Sequence, residues 1–246
     1  MWARSPQSTE NARKFFPAVS SDVAEVVSGS DICVLCTPIG AMPELARQLA
    51  PLLAPTATVT DVGSVKAGIV SQLEAILGSR FVGSHPMAGS EQSGIGAARA
   101  NLFEGAVCIL TPTRNSAPDK IQVLRDLWKS VGCRIVEMTP QDHDERIACV
   151  SHLPHAIAAT LVNAIHLRVP DVGCIAGGGY RDTTRIAAGP AAMWREILLE
   201  NRTALLAGLE DFTTTLEKMK ELIRLADSAE LELFLERARA IRKDLS

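Results

Sequence analysis

Between residues 32 and 137, short apolar runs alternate with amphipathic stretches, and this alternation constrains the fold more than any other feature. Residues 32–36, 57–60, 81–82, 106–110 and 134–137 read as strands; 42–53, 65–77 and 119–131 read as helices between them. Strand–helix–strand units in this order place parallel strands side by side in one sheet. Ahead of them, Met1-Trp2-Ala3 reads as the tail of a strand. A helix over 6–15 follows, with Ser5 as N-cap and Pro6 in its first turn, and then a short helix over 22–28.

The character changes after Met138. Thr139-Pro140-Gln141-Asp142 is a helix-entry signal with acidic residues in the first turn, and 142–167 reads as one long helix that Pro154 bends. Helical patterns dominate again from Ala191 onward. The chain therefore divides into a sheet domain, 1–138, and a helical domain, 139–246. Leu222, Leu225, Ala229, Leu233 and Ala240 form an apolar stripe at helical spacing, to be buried within the domain or against a second subunit.

Composition excludes several function classes. With 246 residues, 47% hydrophobic, and a net charge of −3, the chain can bury a real core. It has no electrostatic case for binding nucleic acid or an anionic membrane. The six cysteines form no disulfide framework: Cys33-Val-Leu-Cys36 lies in a run that reads as a buried strand, which sends the two sulfurs to opposite faces. No signal peptide and no apolar run of spanning length is visible, so a reduced, cytoplasmic protein is the expectation.

A dinucleotide-binding half normally begins with a strand, G-x-G-x-x-G and a helix. No such fingerprint precedes the α/β units here; Gly177-Gly178-Gly179 sits among helices. A sheet of dinucleotide type would lack its first strand and phosphate-binding turn in this chain, with Met1 falling in the second strand. Arg4 and Ser5 then stand where NAD-preferring proteins carry an acidic residue. An arginine there pairs with a 2′-phosphate, which leans toward NADP over NAD.

Four segments carry chemistry. The stretch Gly83-Ser84-His85-Pro86-Met87-Ala88-Gly89-Ser90-Glu91 follows the strand 81–82 and reads as a small-residue loop at the carboxyl edge of the sheet, where ligands bind. Its histidine either exchanges a proton with a ligand or caps a turn. Asp61-Val62-Gly63-Ser64-Val65-Lys66 joins a strand to a helix, with Ser64 placed as an N-cap or as a hydroxyl facing the same edge. In Cys149-x-x-His152-x-x-His155 the two histidines are three apart and share a helix face; the spacing is not that of a zinc protease, and no metal is expected. Tyr180-Arg181-Asp182-Thr183-Thr184-Arg185 sets Asp182 three before Arg185, a layout for a carboxylate-held guanidinium aimed at an anion, or for a charged surface helix. Trp194 walls a pocket or packs.

Together these segments resemble the prephenate/arogenate dehydrogenase family of tyrosine biosynthesis. The matching landmarks are Asp61–Lys66, Gly83–Glu91, Ser151-His152-Leu153-Pro154-His155, and Tyr180–Arg185 with Met193-Trp194-Arg195. The resemblance implies a Rossmann-type parallel sheet domain followed by a helical dimerisation domain, hence a homodimer. It implies NAD(P)-dependent oxidative decarboxylation of prephenate or arogenate, with His85 and Ser64 catalytic at the ring hydroxyl. Arg185 matches the arginine of carboxylate recognition, with Glu91 as its partner in an ionic gate; His152, His155, Asp182 and Trp194 match pocket positions. Arg4, Ser5, Thr37, Pro38 and Ser64 are assigned to the cofactor side. Tyr180 stands where the family pattern suggests Phe. The missing glycine-rich turn leaves a second expectation: a dimerising protein, weakly active or inactive, that does not hold the cofactor.

Overall fold

The computed structural model describes residues 1–89 and 95–244. It forms two compact units, one ending at Asn201 and the other starting at Arg202. The first opens with Trp2 in a parallel bridge to Ser20. Helix α1 (Pro6–Arg13) starts where Ser5 accepts the Ser8 N–H, and α2 (Val23–Val27) where Asp22 accepts that of Ala24. Strands β1 (Ile32–Leu35) and β2 (Thr58–Asp61) pair in parallel, with α3 (Met42–Leu49) between them in sequence. After α4 (Ala67–Leu77), Phe81 continues that sheet through a parallel bridge to Val59. Apolar side chains of α3 and α4, among them Met42, Leu49, Ile69 and Leu73, close over Val59 and Phe81 in one core cluster.

The first four residues after Val82 do not belong to a loop. Gly83–Pro86 is a fully buried strand, β3, antiparallel to β4 (Val107–Thr111). Strand β4 pairs in parallel with β5 (Arg134–Glu137), reached through α5 (Pro118–Ser130). The sheet is thus Rossmann-like, with one antiparallel pair. Packing, not propensity, makes β3. A Cβ on Gly83 would stand 2.5 Å from Thr111 Oγ1 and 2.8 Å from Val70 Cγ2. The Ser84 hydroxyl lies 2.5 Å from that of Thr60 and accepts the Trp128 indole N–H at 3.1 Å. Strand β1 is also less buried than its composition predicts: Cys33 is half-buried and Val34 is 39% exposed. Among the described residues β1 pairs with β2 alone.

The long helix forms in three pieces: α6 (Pro140–Ile147), a π-helical turn (Ala148–His152) and α7 (Leu153–Arg168). The wide turn sits immediately before Pro154, whose ring cannot share a regular turn with the carbonyl four residues back. By length and composition the whole run Pro140–Arg168 suffices to cross a membrane, contrary to the sequence expectation. Its first half nevertheless buries His143, Asp144 and His152, each hydrogen-bonded inside the unit. Then come α8 (Gly178–Thr184), a 3-10 turn (Arg185–Ala188) and α9 (Ala191–Glu200).

The second unit is α10 (Arg202–Arg224) and α11 (Ser228–Lys243). Ala226, at φ 51°, breaks the helix between them, and Asp227 caps α11 by accepting the Glu230 N–H. The break interrupts the stripe read from the sequence: Leu225 and Leu233 are 59% and 62% exposed.

A buried ion pair holds the sheet's central turn. Asp61 Oδ2 accepts the Gly63 N–H and the Lys66 ammonium, both at 2.8 Å, while Oδ1 accepts the Ser84 N–H at 3.2 Å. Lys66 Nζ also donates to the carbonyls of Gly63 and Val65, at 2.5 and 3.2 Å. Both side chains are wholly buried, which is tolerable because each charge is matched and its hydrogen-bonding capacity filled. Lys66→Met leaves the Asp61 carboxylate uncompensated in the core. We expect it to lower unfolding free energy by about 3–5 kcal/mol, read from the urea midpoint at pH 7. A midpoint equal to wild type would show the pair to be dispensable.

Candidate active site

His85 lies within β3, opposite Ile109, rather than beyond a strand's end, and is 7% exposed. Its Nδ1 is 2.9 Å from Nε2 of His143 on α6. His143 Nδ1 is in turn 2.8 Å from Asp144 Oδ1. The same carboxylate accepts the backbone N–H groups of Lys66 (2.7 Å) and Ala67 (2.8 Å) at the start of α4. Ser64 is therefore not the N-cap that its spacing suggests. Helix α4 begins three residues later than Ser64, and its free donors are met by Asp144 from another helix. That leaves the half-buried Ser64 hydroxyl out of the cap, in the turn between β2 and α4.

A second histidine is held from the other side. Asn201 Nδ2 donates to the Asp144 backbone carbonyl at 2.7 Å and lies 3.1 Å from His152 Nδ1. A carbonyl only accepts, so the amide nitrogen must face it; His152 Nδ1 then accepts the second N–H. His152 therefore carries its proton on Nε2. That buried nitrogen makes no well-formed hydrogen bond, although the Ser64 backbone is close enough to favour the protonated ring. His155, one turn on, stacks flat against Trp194 of α9, with ring centroids 3.5 Å apart and planes at 9°, and its buried Nδ1 has no hydrogen-bond partner among the described residues. His152 meets the same indole edge-on at 6.3 Å. Gly189 makes room for that indole, since a Cβ there would stand 2.5 Å from Trp194 Nε1.

Burial keeps these rings neutral. It pushes His85 well below the ordinary histidine value, reinforced by the positive charge of Lys66 and by the neighbouring rings of His143 and His152. Burial also lowers His143, against the opposing hydrogen bond to Asp144. His152 is lowered by burial to about 4, and His155 is lowered by the same cause.

The remaining candidates lie in less enclosed places. Arg185 is exposed and begins the 3-10 turn after α8. Asp182, near the end of α8, is exposed too, and the pair read from the spacing is not joined as an ion pair. Glu91 falls outside the described residues. Thr37, just past β1, has a buried hydroxyl without a hydrogen-bond partner among the described residues; Pro38 is exposed beside it. Arg4 is exposed, and the Ser5 hydroxyl is occupied with Ser8. Among the described residues no group of three or more His, Cys, Asp or Glu is placed to hold a metal ion. His143, Asp144 and Asn201 were not singled out from the sequence. His143 is 58 positions from His85, and no local spacing links them.

A Rossmann-like sheet with one buried histidine on a strand and three more on the helical elements after β5 describes a dehydrogenase-type architecture. The model of the prephenate dehydrogenase nucleotide-binding domain matches residues 4–137, and that of the prephenate dehydrogenase dimerization domain matches 139–237. The chain belongs to the prephenate dehydrogenase family. It is 39% identical to prephenate dehydrogenase of Bacillus subtilis over 76% of this chain and 52% of the relative. Against cyclohexadienyl dehydrogenase of Zymomonas mobilis the identity is 36%, over 85% of this chain and 73% of the relative. The chain thus spans about half the length of the first relative and under three quarters of the second. Prephenate dehydrogenase from A. aeolicus, solved with hydroxyphenyl propionate and NAD+, superposes with a TM-score of 0.93 at 37% identity, over 100% of this chain and 88% of that one. Synechocystis arogenate dehydrogenase gives 0.84 at 32%, over 99% and 89%.

The lowered histidines make stability pH-dependent. Below about pH 6.5 the unfolded chain binds more protons than the folded one, so stability that is complete above that value is lost as pH falls through the folded values. For His152, held at about 4, the loss amounts to about 3 kcal/mol. Thermal scans should give a flat Tm from pH 7 to 8.5 and a steep fall between 6.5 and 4. A Tm constant across that lower range would contradict neutral burial.

Proposed function

We propose that this protein catalyses NAD(P)-dependent oxidative decarboxylation of prephenate or arogenate in tyrosine biosynthesis. The observation that carries the reading is His85: a buried, neutral imidazole on β3 with one nitrogen committed to His143 and, among the described residues, no hydrogen bond on the other. A neutral imidazole accepts the hydrogen bond of an alcohol and draws its oxygen toward carbonyl character, which weakens the C–H bond on the same carbon. Ser64 serves the same oxygen. His152, His155 and Trp194 wall the ring pocket, while Arg185 reads a substrate carboxylate through its planar fork, with Glu91 as its gate partner and Asp182 nearby in sequence. The family relatives and the A. aeolicus complex support this substrate class.

A bound nicotinamide supplies the hydride acceptor. The unpartnered Thr37 hydroxyl at the carboxyl end of β1 fits a polar group of such a ligand, with Pro38 and Ser64 beside the same edge. Arg4, exposed after the first strand segment, offers a cation to a 2′-phosphate and favours NADP, with Ser5 adjacent. We place the protein in the cytoplasm as a homodimer formed through the helical domain, 139–246. Exposed Leu216, Ile223, Leu233, Leu235 and Ile241 supply apolar surface for such a contact. The alternative reading is a dimerising protein, weakly active or inactive, that does not hold the cofactor.

Substrate-dependent NAD(P)H formation, assayed with prephenate and arogenate separately, tests the reaction. His85→Asn should lower kcat by about 10²–10⁴ with KM nearly unchanged; turnover like the wild type would remove His85 from the mechanism. Calorimetry should show NADP binding more tightly than NAD. Binding of neither supports the alternative reading.

A further inference from the structure

We propose that His143 and Asp144 are positioning residues that lock His85 in a single tautomer, protonated on Nδ1 and bare on Nε2. The inference deepens the reading of His85 as the group that accepts a substrate hydroxyl, and rests on it for its functional meaning.

The chain of hydrogen bonds has a fixed direction. An ionised carboxylate only accepts, and that of Asp144 is fixed in the acceptor role by two backbone N–H groups of α4 as well. The ring nitrogen facing it, His143 Nδ1, must carry a hydrogen. A neutral His143 then has a bare Nε2. The 2.9 Å contact from that nitrogen to His85 is a hydrogen bond only if His85 Nδ1 is the donor. His85 Nε2 is left with a lone pair. The opposite direction requires an imidazolium at His143, a fully buried second cation in the neighbourhood of Lys66. The wall around these groups comes from three elements: Lys66 and Asp61 from the β2–α4 turn, Asp144 from α6 and His152 from the π-turn. Of these, only Asp144 hydrogen-bonds the His143 ring, apart from His85 itself. The arrangement resembles in logic the carboxylate of a hydrolase triad, which sets a tautomer without taking the proton, with one more imidazole interposed.

The test has a part that needs no substrate. In protein labelled with ¹⁵N-histidine, long-range ¹H–¹⁵N spectra at pH 7.5 should show His85 with a protonated Nδ1 and an unprotonated Nε2, assigned by its disappearance in His85→Asn. His143→Leu removes the acceptor and should redistribute His85 toward the other tautomer. It should lower kcat by about 10²-fold while KM stays within about twofold. His143→Gln, whose amide oxygen can accept from His85 Nδ1, should restore most of that kcat and the original tautomer. A protonated Nε2 on His85 in the wild type overturns the proposal, as does a His143→Leu variant with unchanged His85 signals. Equal kcat in the Leu and Gln variants overturns it too. If His143→Leu does not fold, the wild-type spectrum decides alone. If instead His85→Asn turns over normally, the catalytic reading fails while the tautomer measurement still judges the positioning claim.

Discussion

The carboxylate of Asp144 is the contact on which both the sheet's packing and the site depend. It stands at the N-terminus of α4, where two unpaired backbone N–H groups and the helix dipole favour a negative charge. One of its oxygens also sets the hydrogen on His143, and its own backbone carbonyl turns the Asn201 amide toward His152. The docking of α6 against α4 and the orientation of two imidazoles therefore share one residue. A neutral or longer side chain at position 144 would disturb helix start and proton arrangement together, so the site cannot be loosened without loosening the packing around it.

The Asp61–Lys66 pair does the complementary task from the sheet side. Its carboxylate reaches across to the Ser84 N–H, one residue before His85, and so fixes the height of β3 relative to β2. Lys66 holds the intervening turn closed through two carbonyls. His85 is thereby clamped between a strand positioned by Asp61 and a ring positioned by Asp144. Both anchors are fully paired, which is what lets charge sit in a largely apolar core.

How much of this was legible in the sequence follows from the range of each interaction. Helix starts at Ser5, Asp22 and Thr139 were readable because a cap acts over two or three residues. Strand β3 was not, because Gly83, Ser84 and Pro86 have no strand propensity and are held extended by Thr60, Thr111 and Trp128. His85 and Ser64 stood out through the company of their motifs. Ser64 was nevertheless given a capping role that Asp144 takes from 78 residues away. His152 and His155, three apart on one helix, were rightly read as neighbours, but their shared partner Trp194 lies on a different helix. Asp182 was assigned to Arg185 by spacing alone, and the two exposed side chains do not meet as an ion pair.

The same burial that weakens the fold in acid gives the site its chemistry. Exposed imidazoles would be partly protonated near pH 6.5, and a protonated ring has no lone pair to offer an alcohol. In a closed pocket with Lys66 nearby, His85 keeps its acceptor form well below neutral pH. His152 is held in the opposite sense, with its proton on the buried Nε2 on the side of the Ser64 backbone. Two neutral histidines are thus kept in opposite tautomers without either changing charge. Their senses are set by His143 with Asp144 for one and by Asn201 for the other, so the arrangement of protons is a property of the folded chain.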